Sequence, residues 1–340
     1  MNMKYKMTDE TIEVYDYTLH RIEALTGIPA IGVMAGDKGG FIESEENLSQ
    51  EGDCWVGGNA KVFGNAKVFG DAWVAGNARV SGDAQVSGDA QVFNNARVHG
   101  SASVHGNAQV YENACVSEYA VVSEYAIVSG EACASGNAKV HGNAWVTDKA
   151  CVFGDAVVLG TAQLYSNVVV SGHARVSGNA KASGTAWVIE NAKVSGNAIV
   201  SGNAWVCHNA QVSGNAQVSG NAQVSGDAIV SGDAIVSENA QVSGNAKVSG
   251  NAEVHGNAWV YGNAWVIDNA KVSGNAIVSE NAEVSGNAQV YGNAQVSGDA
   301  KVYGVFGDAK VSGSTVVSGD AKVPGNAKTR DSTGKTKDGV

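Results

Sequence analysis

Proline is almost missing from this chain. Pro29 and Pro324 are the only two among 340 residues, so the 44 glycines are not those of a collagen-like chain. Aromatics make up 7% and charged residues 16%, the latter below the usual quarter of a globular protein. No apolar run approaches the ~20 residues of a membrane-spanning helix. Met1 to Glu10 contains no apolar segment of the kind that marks a secretory signal. Basic side chains are outnumbered, 22 against 33 acidic, and the formal net charge of −11 argues against nonspecific binding to nucleic acid or anionic membranes. The five cysteines are odd in number and form no Cys-x-x-Cys, so a disulfide framework is not expected. The expected setting is a reducing one, the cytoplasm.

What the chain does have is one six-residue unit, Val-Ser-Gly-Asn-Ala-x, repeated from Val56 to Val302. Valine holds its place except at Ala134, Leu164 and Ala182; alanine, two residues earlier, yields from Ala60 onward only at Val168. In Ala-x-Val the side chains alternate, so Ala and Val share one side and x points to the other. Ser-Gly-Asn or Ser-Gly-Asp follows as a corner, where Gly, Asn and Asp tolerate positive φ. Six is not a helical period, and a glycine in nearly every unit opposes helix. The continuous Val/Ala row also excludes a disordered chain. Each unit is one short strand and one corner, and successive strands stack into a parallel solenoid with a narrow core.

The number of units per coil follows from where like residues recur, because identical side chains stack well in parallel ladders. At the x position Cys115, Cys133 and Cys151 are spaced by 18, as are Trp55 and Trp73, and Trp187 and Trp205. Three units therefore close one coil. Forty-one units separate Val56 from Val302, and three more run from Val305 to Val323, giving about 15 coils. At ~4.8 Å per strand spacing the stack would be roughly 70 Å long.

The unit Val-Ser-Gly-Asn-Ala-Gln at 212–217 resembles the aliphatic-x-x-x-small-x pattern of hexapeptide-repeat proteins. The resemblance implies an all-β, single-stranded, left-handed parallel β-helix, a triangular solenoid with three repeat units to each coil and a small N-terminal β cap. The hand comes from the resemblance alone, since ordinary parallel crossovers are right-handed. Many proteins of that superfamily are trimeric acyltransferases.

Residues 1–55 depart from the repeat and are expected to cap the first coil, whose open edge would otherwise template aggregation. Strands are expected at Lys4–Met7 and Thr11–Val14 around a turn at Asp9–Glu10, with a third at Tyr17–Ile22. Three stretches are similar to the N-terminal module of bacterial and prophage-encoded hexapeptide-repeat proteins often labelled acyltransferases: Gly39-Gly40-Phe41-Ile42-Glu43, Asn47-Leu48-Ser49 and Gly52-Asp53-Cys54-Trp55. The β-helix is expected over 56–328, with a phase break at 302–305 where three residues are missing from a unit. That break reads as a recombination slip between near-identical repeats or as a deliberate flattening near the end. A polar, disordered tail is expected over 329–340.

An acyltransferase of this superfamily needs a histidine base and donors beside a thioester carbonyl. His99, His105, His141 and His255 occupy serine positions of the repeat, His173 and His208 replace corner residues, and His20 lies in the cap. No loop interrupts the coil to build a pocket, so no catalytic residue is assigned. His208, which follows Cys207 beside Trp205, is the candidate an acyltransferase would use. No phosphate loop, nucleophile elbow, Cys/His zinc spacing or basic aromatic patch occurs, and neither metal nor cofactor is expected.

The outward columns say more. One x column reads Lys61, Arg79, Arg97, Cys115, Cys133, Cys151, Val169, Trp187, Trp205, and the serine column beside it contains Phe153, Ile189 and Cys207. From Cys115 to Cys207 the face is apolar while its neighbours carry Gln, Lys and Ser. An apolar strip of that extent marks an interface; the alternative is a ladder of residues that simply suit exposed strands. The expected partner is a second copy of the chain, a trimer being the superfamily habit, or an unidentified protein or surface. Three functions compete: a non-catalytic β-solenoid scaffold or binding protein, an acyltransferase using acyl-CoA or acyl-carrier-protein, and an acidic mimic of nucleic acid. The last is weakened by Lys61, Lys67, Arg79 and Arg97, which interleave with the acidic corners.

Overall fold

A computed structural model describes residues 3–307, 310–314 and 316–317. The tail expected over 329–340 and the repeat positions 318–328 lie outside the described residues. The chain is an all-β parallel solenoid of about 15 coils. Among the described residues helix is limited to two short 3-10 turns, Pro29–Ile31 and Glu45–Asn47. Two compact units are present, residues 1–172 and 173–340.

In the first unit the cap begins with β1 (Tyr5–Val14) and β2 (Tyr17–Ala24), an antiparallel pair, followed by β3 (Lys38–Ile42). The chain does not reverse at Asp9–Glu10 as the sequence suggested. β1 runs straight through, its polar residues facing solvent and its register shift absorbed between Met7 and Thr11. The reversal falls at Tyr15–Asp16, where Tyr15 takes φ 55°, as primed two-residue hairpin turns require. β3 joins cap to coil: it pairs antiparallel with β2 and parallel with Lys61–Val62. Its glycines permit that approach. A Cβ on Gly39 would lie 2.5 Å from Ile22 and 2.6 Å from the Val56 carbonyl; one on Gly40 would lie 2.6 Å from the Ala60 carbonyl.

Side chains fasten the cap where backbone ladders run out. Lys4, buried, donates its Nζ to the carbonyls of Cys54 (2.9 Å) and Gly52 (3.1 Å), and the Tyr5 hydroxyl donates to the Leu48 carbonyl (2.6 Å). Asn47, fully buried, donates Nδ2 to the carbonyls of Gly64 and Ala66, each at 2.9 Å. Two repeats further on, the equivalent carbonyls of Gly76 and Ala78 are reached by the backbone N–H groups of Asn59 and Lys61. The Asn47 amide thus replaces donors that an irregular turn cannot supply.

Beyond the cap each repeat contributes a two-residue x-Val strand. In the first unit these stack into three parallel sheets, with Trp55 on Trp73, Lys61 on Arg79 and Lys67 on Gln85 at the start of each, every partner standing three repeats further along the chain. The three-repeat coil deduced from the Cys and Trp spacing is the observed one. Valine and alanine line the interior, and the lapses in the repeat keep that orientation: Ala134, Leu164, Val168 and Ala182 are all fully buried. Burying one valine contributes at most about 1.5–3 kcal/mol, an upper bound because unfolded chains are partly compact.

The second unit repeats the coil, with Arg175 on Lys193, Lys181 on Ile199 and Trp187 on Trp205. The phase break is absorbed here without loss of pairing. Gln289 pairs with Val305, Gln295 with Lys310 and Lys301 with Val316. The first partner is two positions nearer along the chain than in a regular coil, and the other two are three positions nearer. The shortened corner still offers the Gly304 carbonyl to Gln289 N at 3.1 Å.

The corners correct one expectation. Only the glycine position takes positive φ, as at Gly58 (62°) and Gly142 (76°); the following Asn or Asp does not. Asn serves a different purpose. In the second unit Asn203, Asn221, Asn239, Asn257 and Asn275 each pass an Nδ2 hydrogen bond to the Oδ1 of the residue 18 positions on, at 2.9–3.1 Å. Such amide ladders stabilise stacked identical strands. Where glutamate replaces the corner glycine it also adopts positive φ, a cost of roughly 1–2 kcal/mol. Its carboxylate then accepts the otherwise unladdered N–H of the next corner: Glu112 from Gly130 (2.6 Å), Glu118 from Gly136 (2.6 Å) and Glu280 from Gly298 (2.6 Å).

Candidate functional site

Because Ala and Val fill the interior, every x side chain faces outward, and chemistry on this protein is arranged in columns. In the first unit Arg97, Cys115, Cys133, Cys151 and Val169 form one in-register column, the last four half-buried. Phe153, in the flanking serine position, is exposed. In the second unit Trp187 and Trp205 stack face to face, ring centres 4.9 Å apart and planes 2° off parallel, at 38% and 41% exposure. Ile189 and Cys207 lie half-buried beside them. The column continues through Gln223 and Gln241 to the exposed Trp259. The tryptophans are therefore packed on each other and still open to solvent, an arrangement that leaves large apolar area uncovered.

The cysteines are all free thiols. They differ in acidity because they lean on one another. The hydrogen bond between the Cys133 and Cys151 side chains, then burial, holds the Cys133 thiol far above its ordinary range; the same bond brings Cys151 down to about 7. Burial raises Cys115, whose Sγ lies 3.4 Å from His99 Nε2, and burial followed by Glu190 raises Cys207. The thiolate is the reactive form. At pH 7 iodoacetamide is therefore expected to modify Cys151 before Cys115, Cys133 or Cys207, as read by peptide mass mapping over time; equal rates at the four would contradict the hydrogen-bonded pair.

His208 occupies a corner at φ 59°, exposed, with Nδ1 3.7 Å from Glu190 Oε2 and its backbone N–H donating to the same oxygen at 2.7 Å. His105 holds the Ser103 hydroxyl at 3.2 Å. Among the described residues no three His, Cys, Asp or Glu side chains converge on a point where a metal would sit.

The fold also assembles a group that the sequence had concealed. The chain has no basic aromatic patch along its length, yet the β1–β2 hairpin tip sets Tyr15 beside Phe63, ring centres 6.4 Å apart, and Tyr17 at 5.1 Å from Phe63. Tyr15 and Phe63 line a recess of about 240 Å³ with Arg79, Ser81, Arg97 and His99. Its signal in sequence was the run of cations Lys61, Arg79, Arg97 with Phe63 beside Lys61; Tyr15 comes from a turn far back in the chain, at its N-terminal end.

A family model for the YdcK beta solenoid repeat matches residues 90–106, 192–208, 210–224, 222–238, 240–256 and 288–304. These stretches cover well under half of the chain. No curated protein matches in sequence. Among solved structures the chain is similar to the UDP-N-acetylglucosamine acyltransferase of Francisella novicida, at 15% identity and a TM-score of 0.27, over 52% of this chain and 67% of that one. It is also similar to the UDP-N-acetylglucosamine acyltransferase of Campylobacter jejuni, at 17% identity and 0.25, over 52% and 71%. The LpxA structure from Acinetobacter baumannii matches at 11% identity and 0.23, over 52% and 71%. What the coil itself defines is the class, a β-solenoid repeat protein. No helix among the described residues is long and apolar enough to cross a membrane.

Proposed function

We propose that this protein is a non-catalytic scaffold that self-associates through outward apolar side chains, Cys115, Cys133, Cys151, Phe153 and Val169 in the first unit and Trp187, Ile189, Trp205 and Cys207 in the second. The observation that carries this reading is the Trp187–Trp205 stack, ordered against itself yet about two-fifths exposed. Exposed tryptophan is costly to leave in water and is the residue most often found at the energetic centre of interfaces. A strip repeated once per coil also suits a second copy of itself, since a symmetric contact needs one self-complementary patch rather than two. The free thiols suit a reducing compartment, and the cytoplasm is the proposed location.

Carrying both Trp187→Asp and Trp205→Asp, the protein is expected to sediment as a monomer at concentrations where the unmutated chain is oligomeric. These side chains point outward, so the coil should stay folded, although the paired carboxylates and the lost ring stack lower its melting temperature. An unchanged oligomer in analytical ultracentrifugation would sink the assignment of this column as the interface.

A second reading, an acyltransferase acting on acyl-CoA or acyl-carrier-protein, rests on the His208–Glu190 pair, since a carboxylate beside an imidazole is what orients and strengthens a general base. The pair is open to solvent, and neither residue lines the recess described above. Heat released on titrating acyl-CoA, abolished by His208→Gln, would favour this reading over the scaffold.

A further inference from the structure

The column Lys61, Arg79, Arg97 is the least favourable charge arrangement on the described surface. Elsewhere, charges that meet between coils are often of opposite sign: Lys271 on Glu253 (2.9 Å) and Lys301 on Glu283 (3.2 Å). Here three cations stack in register, and like charges directly opposite each other are destabilising. Burial and the Arg79 charge both push the Lys61 amine below its ordinary range. Among the described residues no carboxylate is bonded to any of the three; Lys61 donates to the Asn59 carbonyl, at 3.0 Å. One other like-charged pair occurs among the described ladders, Arg175 on Lys193, and no hairpin overhangs it. In a chain of net charge −11, three cations without a carboxylate partner at one spot call for an outside anion.

The walls of the recess narrow the choice of anion. Arg79 and Arg97 offer planar, multiply donating heads, the geometry that suits phosphate oxygens. Ser81 and His99 add further polar groups on the flanking column. On the other side stands Tyr15, 77% exposed at the hairpin tip, with the nearly buried Phe63 ring behind it. An exposed ring lining the same recess as two guanidinium groups offers a stacking platform for something flat. The recess, at about 240 Å³, has room for a small ligand rather than a polymer, and the acidic remainder of the chain would repel a nucleic acid strand.

We propose that the recess of Tyr15, Phe63, Arg79, Ser81, Arg97 and His99 is a binding site for a small phosphate ester with a flat organic part, of the nucleoside monophosphate or aryl phosphate class. The site adjoins the start of the apolar column, His99 lying 3.4 Å from Cys115, but it needs no second copy of the chain and is tested separately. Its phosphate lies between the two guanidinium groups, and its ring stacks on Tyr15.

Calorimetry on the full chain at low salt tests this with three probes: adenosine 5′-monophosphate, inorganic phosphate and adenosine. The monophosphate is expected to bind more tightly than either part. Arg97→Gln should weaken the monophosphate and inorganic phosphate alike by roughly tenfold or more, the usual worth of a charge-assisted hydrogen bond. Tyr15→Gly keeps the turn, since glycine favours positive φ, and should weaken the monophosphate and adenosine while leaving inorganic phosphate unchanged. Circular dichroism on both variants confirms that the coil is intact. Absence of binding by the monophosphate at millimolar concentration would overturn the proposal. So would binding that survives Arg97→Gln together with Arg79→Gln, or inorganic phosphate binding as tightly as the monophosphate.

Discussion

Asn47→Leu is expected to release the cap and leave the first coil open. The substitution keeps the volume and removes the amide, so the Ser44 N–H and the carbonyls of Gly64 and Ala66 lose the partner that each has now. An orphaned buried polar group costs about 1–3 kcal/mol; the Ala66 carbonyl is one such group, and the partly buried Ser44 N–H and Gly64 carbonyl add to it. The Glu43 N–H is spared, because it also reaches the Val62 carbonyl at 3.1 Å. Exposure of that sheet edge has a second consequence, since unpaired strand edges recruit other chains. The melting temperature should fall by many degrees, and light scattering should rise with time at 37 °C. A variant that melts like the unmutated protein and stays clear would show that the cap is held by its other contacts alone.

Val212→Asp tests the interior. Val212 is fully buried, between Val194 and Val230 of the neighbouring coils. Aspartate there loses about 1.5–3 kcal/mol of valine burial and adds roughly 1–3 kcal/mol for a polar group without a partner. Each coil touches mainly its immediate neighbours, so the damage should stay local. Hydrogen exchange is expected to accelerate in the strands flanking 212 and to remain slow in the cap. Unchanged protection there and an unchanged melting curve would refute the inward placement of valine.

The coil was legible because two simple rules act on every unit. Alternation puts Ala and Val on one side, and like-on-like stacking at Cys115, Cys133 and Cys151 sets three repeats to the coil. Both rules are local or strictly periodic, so one sequence suffices to read them. The corner chemistry was half legible. Glycine was rightly given the bend, but the contribution of asparagine is a bond from one coil to the next and looks in sequence like ordinary turn propensity. The cap was legible as an exception and not as a structure. Its fastenings join Lys4 to Cys54, Tyr5 to Leu48 and Asn47 to Gly64, pairings that no period announces. The same holds for the recess. Arg79 and Arg97 stood out in the column, while Tyr15 reaches them only because β1 runs on past Asp9 and turns at Tyr15–Asp16.

The central functional claim is that the outward Trp and Cys side chains are covered by another copy of this chain. The most direct measurement is the mass of the unmutated protein in solution by size-exclusion chromatography with multi-angle light scattering. Self-association predicts an integral multiple of the 34.6 kDa chain that persists on dilution into the micromolar range. A single species of 34.6 kDa at every concentration would contradict it.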